Sequence, residues 1–257
     1  MKPNLIFFLI FLLTSNFIFG QSKVFVGYKN DKPVFDSFNE NIIYFQNDER
    51  LEILINYPKD YTVQQVKENF ICYIQELNNG LNIIINNGKE EIKYFSSTEV
   101  YYLNLDINGG LYFTNTKNEI NYLKDGILVK TGLEGIVESV INNCLYFTKI
   151  HNPDLFYANV DLFEKDLLNS TKNPELILSN ISGESLRIDK TGKYIYDKKL
   201  SNGTFKPFIY NKFKKKLKII ESIDKNFLKA TPFFSYKKNE LIFYNPNTME
   251  FFETFFE

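Results

Sequence analysis

The chain has 257 residues and a formal net charge of −1, and 44% of its residues are hydrophobic. This apolar content excludes a disordered chain, and 30 basic against 31 acidic residues leave no field to hold a polyanion or an anionic membrane. One histidine and two cysteines argue against structural zinc, and Arg50 and Arg187, the only arginines, supply little bidentate readout of phosphate or guanine. We therefore predict no metal, no cofactor and no nucleic-acid partner.

Residues 1–20 have the form of a secretory signal peptide. Lys2 gives a positive start, Leu5–Leu13 is an unbroken apolar run, and a short mixed stretch ends in Gly20. The run is shorter than the about 20 apolar residues that a membrane-spanning helix needs. We therefore predict a cleaved signal, a single domain over residues 21–257 with no later membrane span, and a secreted, periplasmic or cell-envelope location.

Short apolar runs fill the rest of the chain. They are rich in Ile, Phe, Tyr and Leu, and polar breaks of Asn, Lys, Asp and Gly separate them, which is typical of many short strands in an all-β fold. The first two runs, Val24–Tyr28 and Pro33–Phe35, predict a hairpin. Only Thr62–Asn69 and Asp161–Asn169 are compatible with one or two helical turns.

A short phrase recurs along the chain: a turn residue, mostly apolar positions, then an aromatic. Asn and Gly tolerate the positive φ that tight turns require, and we expect the aromatic to fill the space between neighbouring sheets. The average spacing is close to the length of a four-stranded propeller blade, about 40 residues. The phrase occurs at Asn41–Phe45, Asn69–Tyr73, Gly109–Phe113, Asn143–Phe147, Gly192–Tyr196 and Asn239–Phe243.

These repeats predict a β-propeller of six blades built from antiparallel strands. The last repeat has room for only two strands before Glu257, and the N-terminal hairpin belongs to none of the repeats. Because a ring of blades must join its ends, we predict that the N-terminal strands complete the last blade as a clasp. We expect a monomer.

Two of the repeats resemble the blades of TolB-type propellers and their WD-type relatives. Leu145–Tyr157 is a strand ending in an aromatic, a turn containing Asn-Pro-Asp, and then Leu-Phe-Tyr. Asp189–Tyr196 is an Asp and Gly turn before an apolar-aromatic strand, whereas several other repeats lack that turn. The resemblance implies an exported six-bladed propeller that binds a partner through its top face or its central channel.

The two cysteines lie in apolar runs, where cysteine behaves as a small buried hydrophobe. An exported chain meets oxidising conditions, so a Cys72–Cys144 disulfide remains an alternative to two free buried thiols. The pattern favours the free thiols, because a disulfide requires Cα atoms within about 7 Å of each other.

Candidates for catalysis or metal binding are few and incomplete. His151, which we predict to lie in a turn, has Asp154 beside it, but the chain contains no Gly-x-Ser-x-Gly elbow. Nothing in the spacing of the carboxylates fixes the geometry of a glycosidase. Asn104, Asp106, Asn108 and Gly109 approach a calcium loop without its closing Glu. The neighbouring carboxylates considered for a glycosidase are Asp48–Glu49, Glu90–Glu91, and Asp161 with Glu164 and Asp166. We therefore predict no catalytic, cofactor-binding or metal residue.

Two surface patterns remain. A dense basic run with interleaved apolar residues suits phosphate contacts, but in a slightly acidic exported chain we interpret it as an exposed strand or turn whose lysines protect a sheet edge. Three Asn-x-Ser/Thr sequences match the N-glycosylation pattern. The basic run is Lys212, Lys214, Lys215, Lys216 and Lys218, and the three acceptor positions are Asn169, Asn180 and Asn202.

The predicted signal, the repeats and the incomplete catalytic sets favour one function, a non-enzymatic exported propeller that binds a protein or glycan partner. Two alternatives remain at this level. One is a hydrolase or lyase that uses carboxylates of the channel, and the other is a structural component of an envelope complex.

Overall fold

The computed structural model describes residues 23–30, 32–47, 50–153, 158–169, 171–182, 186–188, 193–199, 205–212, 216–219, 231–234, 240–245 and 250–255. Within these residues the regular structure consists of 23 strands in five sheets and contains no helix. The all-β prediction is therefore confirmed. No helix of the described residues is long and apolar enough to cross a membrane. The predicted signal at residues 1–20 lies outside the described residues.

The first sheet has eight strands and consists of two antiparallel meanders that meet at their first strands. We call these meanders units 1 and 2. Strands β1 and β5 run parallel and pair at Gly27 with Val66 and at Tyr28 with Lys67. Unit 1 contains β1 Val24–Lys29, β2 Lys32–Ser37, β3 Ile42–Asn47 and β4 Arg50–Asn56; unit 2 contains β5 Tyr61–Lys67, β6 Phe70–Leu77, β7 Gly80–Asn86 and β8 Glu91–Ser96.

Four further sheets, units 3 to 6, follow along the chain, each an antiparallel meander in sequence order. Unit 3 contains β9 Val100–Leu105, β10 Leu111–Asn115, β11 Glu119–Lys124 and β12 Ile127–Glu134. Unit 4 contains β13 Ile136–Ile141, β14 Cys144–Pro153, β15 Ala158–Asp166 and β16 Glu175–Ser182. Unit 5 contains β17 Arg187–Ile188, β18 Lys193–Lys199, β19 Phe205–Asn211 and β20 Lys216–Ile219, and unit 6 contains β21 Thr231–Phe234, β22 Glu240–Asn245 and β23 Glu250–Phe255.

The recurring phrase marks the second strand of its unit in every case but one. In units 2 to 6 it ends on β6, β10, β14, β18 and β22, whereas Asn41–Phe45 runs onto β3, the third strand of unit 1. The second strand of unit 1 is β2, which carries Phe35 at the matching place. The phrase at Asn41–Phe45 therefore marks the third strand of its unit instead of the second, so it lies closer to the phrase at Asn69–Tyr73 than the length of one unit.

The prediction that the N-terminal strands complete the last blade as a clasp is also wrong. Strands β1 and β2 form the N-terminal hairpin, and they belong to unit 1, because β2 pairs with β3 and β1 pairs with β5. Among the described residues, unit 6 contains β21, β22 and β23 only.

The two stretches compatible with helical turns are strands as well, since Thr62–Lys67 lies in β5 and Asp161–Asp166 in β15. In β5 the apolar side chains of Tyr61, Val63 and Val66 are buried against the core, and this burial favours a strand over an isolated helical turn.

The core consists of apolar clusters, each between two neighbouring units. Tyr73 lies between units 1 and 2, Phe113 between units 2 and 3, Phe147 between units 3 and 4, and Tyr196 between units 4 and 5. The prediction that the phrase aromatic fills the space between sheets is confirmed at these four positions. Burying a large apolar side chain of this kind stabilises a fold by about 1.5–3 kcal/mol.

Candidate functional site

The first strands of units 2, 3 and 4 lie side by side, with β5 against β9 and β9 against β13. Each of them is interrupted by a β-bulge, at Gln64 in β5, near Tyr102 in β9 and at Glu138 in β13. A bulge re-aims a side chain and is frequent next to functional sites. We call the surface formed by these three strands the inner surface; its polar residues include Gln64, Gln65, Lys67, Tyr102, Asn104 and Glu138.

Tyr102 has an unusual backbone for its residue type. Its φ is 55°, and it is the only aromatic among the non-glycine residues of positive φ in the described chain, most of which are Asn. A bulky residue in this region costs about 1–2 kcal/mol. The side chain is nevertheless 55% exposed, so little packing offsets this cost. Partial burial, followed by the charge of Glu138, raises the pKa of the Tyr102 hydroxyl.

Two side chains of β5 tie unit 2 to units 3 and 4. Lys67 Nζ donates to the Leu105 carbonyl oxygen at 2.9 Å and also to the Val140 carbonyl oxygen. Gln65 Oε1 accepts from the Leu105 amide at 2.6 Å, and Gln65 Nε2 donates to Asn104 Oδ1 at 3.1 Å. The two bonds to Leu105 satisfy backbone groups on the open edge of β9, and the bond to Val140 satisfies a carbonyl group of β13.

Glu68, which follows β5 directly, ties unit 2 back to unit 1. The Glu68 amide donates to the Tyr28 carbonyl oxygen at 2.8 Å, and Glu68 Oε2 accepts from the Asn30 amide at 3.0 Å. The segment Gln65–Glu68 therefore contacts units 1, 3 and 4 at once.

Replacing Lys67 with Met is expected to remove a pH dependence of stability. Burial lowers the pKa of Lys67 from 10.5 to about 8, while Asp106 and Glu68 oppose the shift. Because the unfolded chain binds the proton more tightly, the stability of the wild-type protein rises as the pH increases from about 8 to 10.5. Between pH 8 and pH 10, we expect the free energy of unfolding of the wild type to increase by about 2 kcal/mol relative to that of Lys67→Met. Urea titrations at each pH measure this difference.

The control for this experiment is Lys93→Met. A hydrogen bond to the Tyr61 hydroxyl raises the pKa of Lys93, so its contribution is lost with rising pH and has the opposite sign. A constant difference between wild type and Lys67→Met across the window contradicts the assignment.

A second polar cluster lies between units 4 and 5. Lys212 Nζ donates to both carboxylate oxygens of Glu164, at 2.6 and 2.5 Å, with the two side chains only 27% and 13% exposed. The thiol of Cys144 lies 3.8 Å from Glu164 Oε1, and burial together with Glu164 raises the pKa of that thiol. The rings of Tyr146 and Tyr194 pack edge to face beside the cluster at 6.0 Å. This cluster links unit 4 to unit 5 and is partly buried between them.

Both cysteines are free, which confirms the preference for free thiols over a disulfide, although Cys144 is only partly buried. Cys72 is fully buried between units 2 and 3, and burial raises its pKa.

The turn predicted for His151 is wrong. His151 lies within β14 at a bulge between Ile150 and Asn152, because the long hairpin of β14 and β15 continues as far as Pro153 paired with Ala158. Asp154 lies outside the described residues.

The calcium-like sequence forms a hairpin turn. Asp106 Oδ1 accepts from the amides of Asn108 and Gly110, at 2.6 and 2.9 Å, and Asp106 Oδ2 accepts from the Tyr122 hydroxyl at 3.1 Å. Across the described ranges, no three His, Cys, Asp or Glu side chains lie close enough together to hold a metal ion.

The predicted carboxylate groups do not converge. Glu90 Oε1 accepts from Asn87 Nδ2 in the turn between β7 and β8, Asp161 Oδ1 accepts from Ser179 in unit 4, and Glu164 binds Lys212. Asp48 and Glu49 lie outside the described residues.

The basic run surrounds the outer strand of unit 5. Lys212 lies in the turn after β19, and Lys216 and Lys218 lie on β20, an edge strand. Lys214 and Lys215 lie outside the described residues. Of the glycosylation sequences, Asn169 and Asn180 are exposed, and Asn202 lies outside the described residues.

Successive antiparallel meanders that pack face to face, each beginning with an inner strand, define the β-propeller fold. TolB from Acinetobacter baumannii is similar, with a TM-score of 0.53 and 11% identity over 95% of this chain and 66% of that one. The tricorn protease is similar with a TM-score of 0.55 and 12% identity over 91% of this chain, which spans 26% of the protease chain. YCF48 bound to D1 peptide is similar with a TM-score of 0.50 and 10% identity over 88% of this chain and 77% of that one.

No family model matches the sequence, and no curated protein matches it. The likeness to known structures establishes the fold: the chain has a β-propeller fold, and the predicted resemblance to TolB-type propellers is confirmed for the architecture.

Sequence reasoning did not find the inner surface. Gln64 and Gln65 were visible only as polar interruptions of a strand-like run, and nothing around Tyr102 distinguishes it from an ordinary strand residue.

Proposed function

We propose that this chain is an exported, six-bladed β-propeller whose inner surface binds a protein partner around Tyr102. The observation that carries the proposal is an exposed tyrosine held at positive φ on an innermost strand. Asn or Gly at this position would suit the backbone better, so the tyrosine costs stability without contributing to the core. Strain of this kind persists at binding and switch sites.

The surroundings of Tyr102 suit a polypeptide. Tyrosine supplies a large contact area with a polar tip and is enriched among residues that dominate protein interfaces. Gln64 offers an amide that can donate to and accept from a peptide backbone, and Glu138 adds a carboxylate beside Tyr102. YCF48, which shares the fold, is bound to the D1 peptide, and this supports a peptide-binding role on the same architecture.

The proposal also includes export of the chain and closure of its six blades into a ring. The apolar run Leu5–Leu13 supports secretion to the periplasm, the cell envelope or the medium. Units 1 to 6 support a ring of six blades over residues 21–257.

Replacing Tyr102 with Asn tests the binding role. We expect Tyr102→Asn to leave the free energy of unfolding unchanged or to raise it by about 1 kcal/mol, because Asn tolerates positive φ. The same substitution is expected to lower the amount of a specific partner cross-linked to the purified chain in an envelope extract by about tenfold, a loss typical of a dominant interface tyrosine. The measurements are urea unfolding and quantitative mass spectrometry of the cross-linked material.

Phe38→Asn is the matched control. Phe38 is 59% exposed, close to the exposure of Tyr102, but it lies in the turn after β2, outside the inner surface. Binding should survive this change. Equal retention of the partner by Tyr102→Asn, or a clear loss of stability in that variant, contradicts the proposal.

A further inference from the structure

A cleft of about 160 Å³ opens between units 2 and 3, on the side of the turns that join β7 to β8 and β11 to β12. Its floor is apolar and consists of Phe70, Ile85 and Ile92. Gly109 allows the Phe70 ring to lie at this place, because a Cβ at position 109 would overlap the ring. A cavity of about 150 Å³ holds a benzene molecule, so this cleft is large enough for one long side chain.

The rim of the cleft is polar and carries more negative than positive charge. Glu90 and Asp125 supply carboxylates, and Lys124 supplies the ammonium group. Lys124 Nζ donates to the Asn108 carbonyl oxygen, so a backbone group of unit 3 already holds this cation. Among the described residues, the Asp125 carboxylate accepts no hydrogen bond.

We propose that this cleft binds an arginine side chain of a partner polypeptide. The aliphatic stem of the arginine lies on Ile85 and Ile92, and the guanidinium group stacks on Phe70. Its donors then reach the carboxylates of Glu90 and Asp125 at the rim. Arginine fits better than lysine because its planar group offers five donors in a fork that matches carboxylates and is more weakly hydrated than an ammonium group.

An arginine is the occupant that the charges and the shape favour together. A purely aliphatic side chain fills the floor but leaves two carboxylates facing the apolar ligand, which costs their hydration. An acidic side chain meets two carboxylates of like charge. This cleft is separate from the inner surface, and the inference does not depend on the function proposed for Tyr102.

The test is an NMR titration of the purified chain with capped tripeptides, observed at the Ile85 and Ile92 methyl groups. The probes are Ac-Gly-Arg-Gly-NH₂, the same peptide with citrulline, which keeps the shape and removes the charge, and free arginine. We expect the arginine peptide to shift both methyl signals saturably and to bind at least about tenfold more tightly than the citrulline peptide. Free arginine carries a charged α-ammonium and a charged α-carboxylate where the capped peptide has neutral amides, and both must lose hydration beside the cleft, so it is expected to bind more weakly than the capped peptide.

The double variant Glu90→Gln, Asp125→Asn is expected to weaken binding of the arginine peptide by about tenfold or more. Glu91→Gln is the matched control, because Glu91 is a neighbouring carboxylate that binds Asn86 and Lys93 instead of lining the cleft. Equal binding of the arginine and citrulline peptides, or an unchanged affinity in the double variant, overturns the inference. Tighter binding of free arginine overturns the choice of a polypeptide. Tyr102→Asn should keep its affinity for the arginine peptide, so failure at either site is distinguishable from failure at the other.

Discussion

Replacing Gly27 with Ala is expected to destabilise the chain by about 3–5 kcal/mol, because overpacking and backbone strain act together at this position. Gly27 has a φ of 145°, a conformation that residues with a side chain rarely adopt, and an added Cβ would overlap the carbonyl oxygen of Val66. That oxygen belongs to the main chain of β5, so it cannot turn away as a flexible side chain can. The substitution therefore forces β1 away from β5, at the place where units 1 and 2 pair.

Gly88→Ala separates the two causes of this loss. Gly88 also has a positive φ, of 84°, but no heavy atom lies within 4 Å of the position of an added Cβ. We expect this variant to lose only the conformational term, about 1 kcal/mol. Urea unfolding of both variants measures the difference, and equal losses would show that the contact with Val66 contributes nothing.

Replacing Asp36 with Asn is expected to stabilise the protein at neutral pH. Asp36 is 5% exposed, and the Tyr57 hydroxyl donates to its carboxylate at 2.7 Å. Burial raises the pKa of Asp36 from 3.8 to about 6, and the hydrogen bond from Tyr57 opposes this shift. The folded state therefore binds the proton more tightly, and the contribution of Asp36 to stability is present at low pH and is lost as the pH rises through 6.

The size of the stability difference between Asp36→Asn and the wild type follows from the raised pKa of Asp36. The advantage of Asp36→Asn over the wild type should grow by about 2 kcal/mol between pH 4 and pH 7, because an amide does not ionise in this range and can still accept from Tyr57. Thermal and urea unfolding across this window measure it.

Glu40→Gln provides a control of opposite sign on the same unit. Hydrogen bonds from Ser37 and Tyr44 lower the pKa of Glu40, so this carboxylate stabilises the fold above its ordinary pKa, and its loss should weaken the protein at neutral pH. A pH-independent difference between Asp36→Asn and wild type would show that the buried carboxylate is not the cause.

The repeats were predictable because their signals are local. A turn residue that tolerates positive φ, followed by apolar residues and an aromatic, is contained within a few positions, and it located the second strand of five units. In unit 1 the same signal stands before the third strand: Asn41 also has a positive φ, of 54°, and β3 also carries aromatic residues. Only the pairing of β2 with β3 shows that β2 is the second strand of unit 1. Pairing between strands cannot be inferred from one short stretch of sequence.

The inner surface could not be predicted because it depends on contacts between units. The bulge at Tyr102 arises from the register of β9 against β10, and neighbouring Tyr101 and Leu103 give no sign of it. For β5 the sequence does contain a signal, in its polar residues. Thr62–Asn69 is compatible with a helical turn by sequence, whereas in the structure Gln65 and Lys67 lie on a strand and reach across to β9 and β13.

The contacts of Gln65–Glu68 determine which units are expected to unfold together. In a linear array of repeats, each repeat contacts only its neighbours, so stability is a sum of local terms and the ends can unfold separately. Here one four-residue segment holds the Asn30 turn, the end of β9 and the Val140 carbonyl together. Unfolding of β5 in unit 2 would therefore remove contacts from units 1, 3 and 4 at the same time, so we expect units 1 to 4 to unfold together instead of one by one.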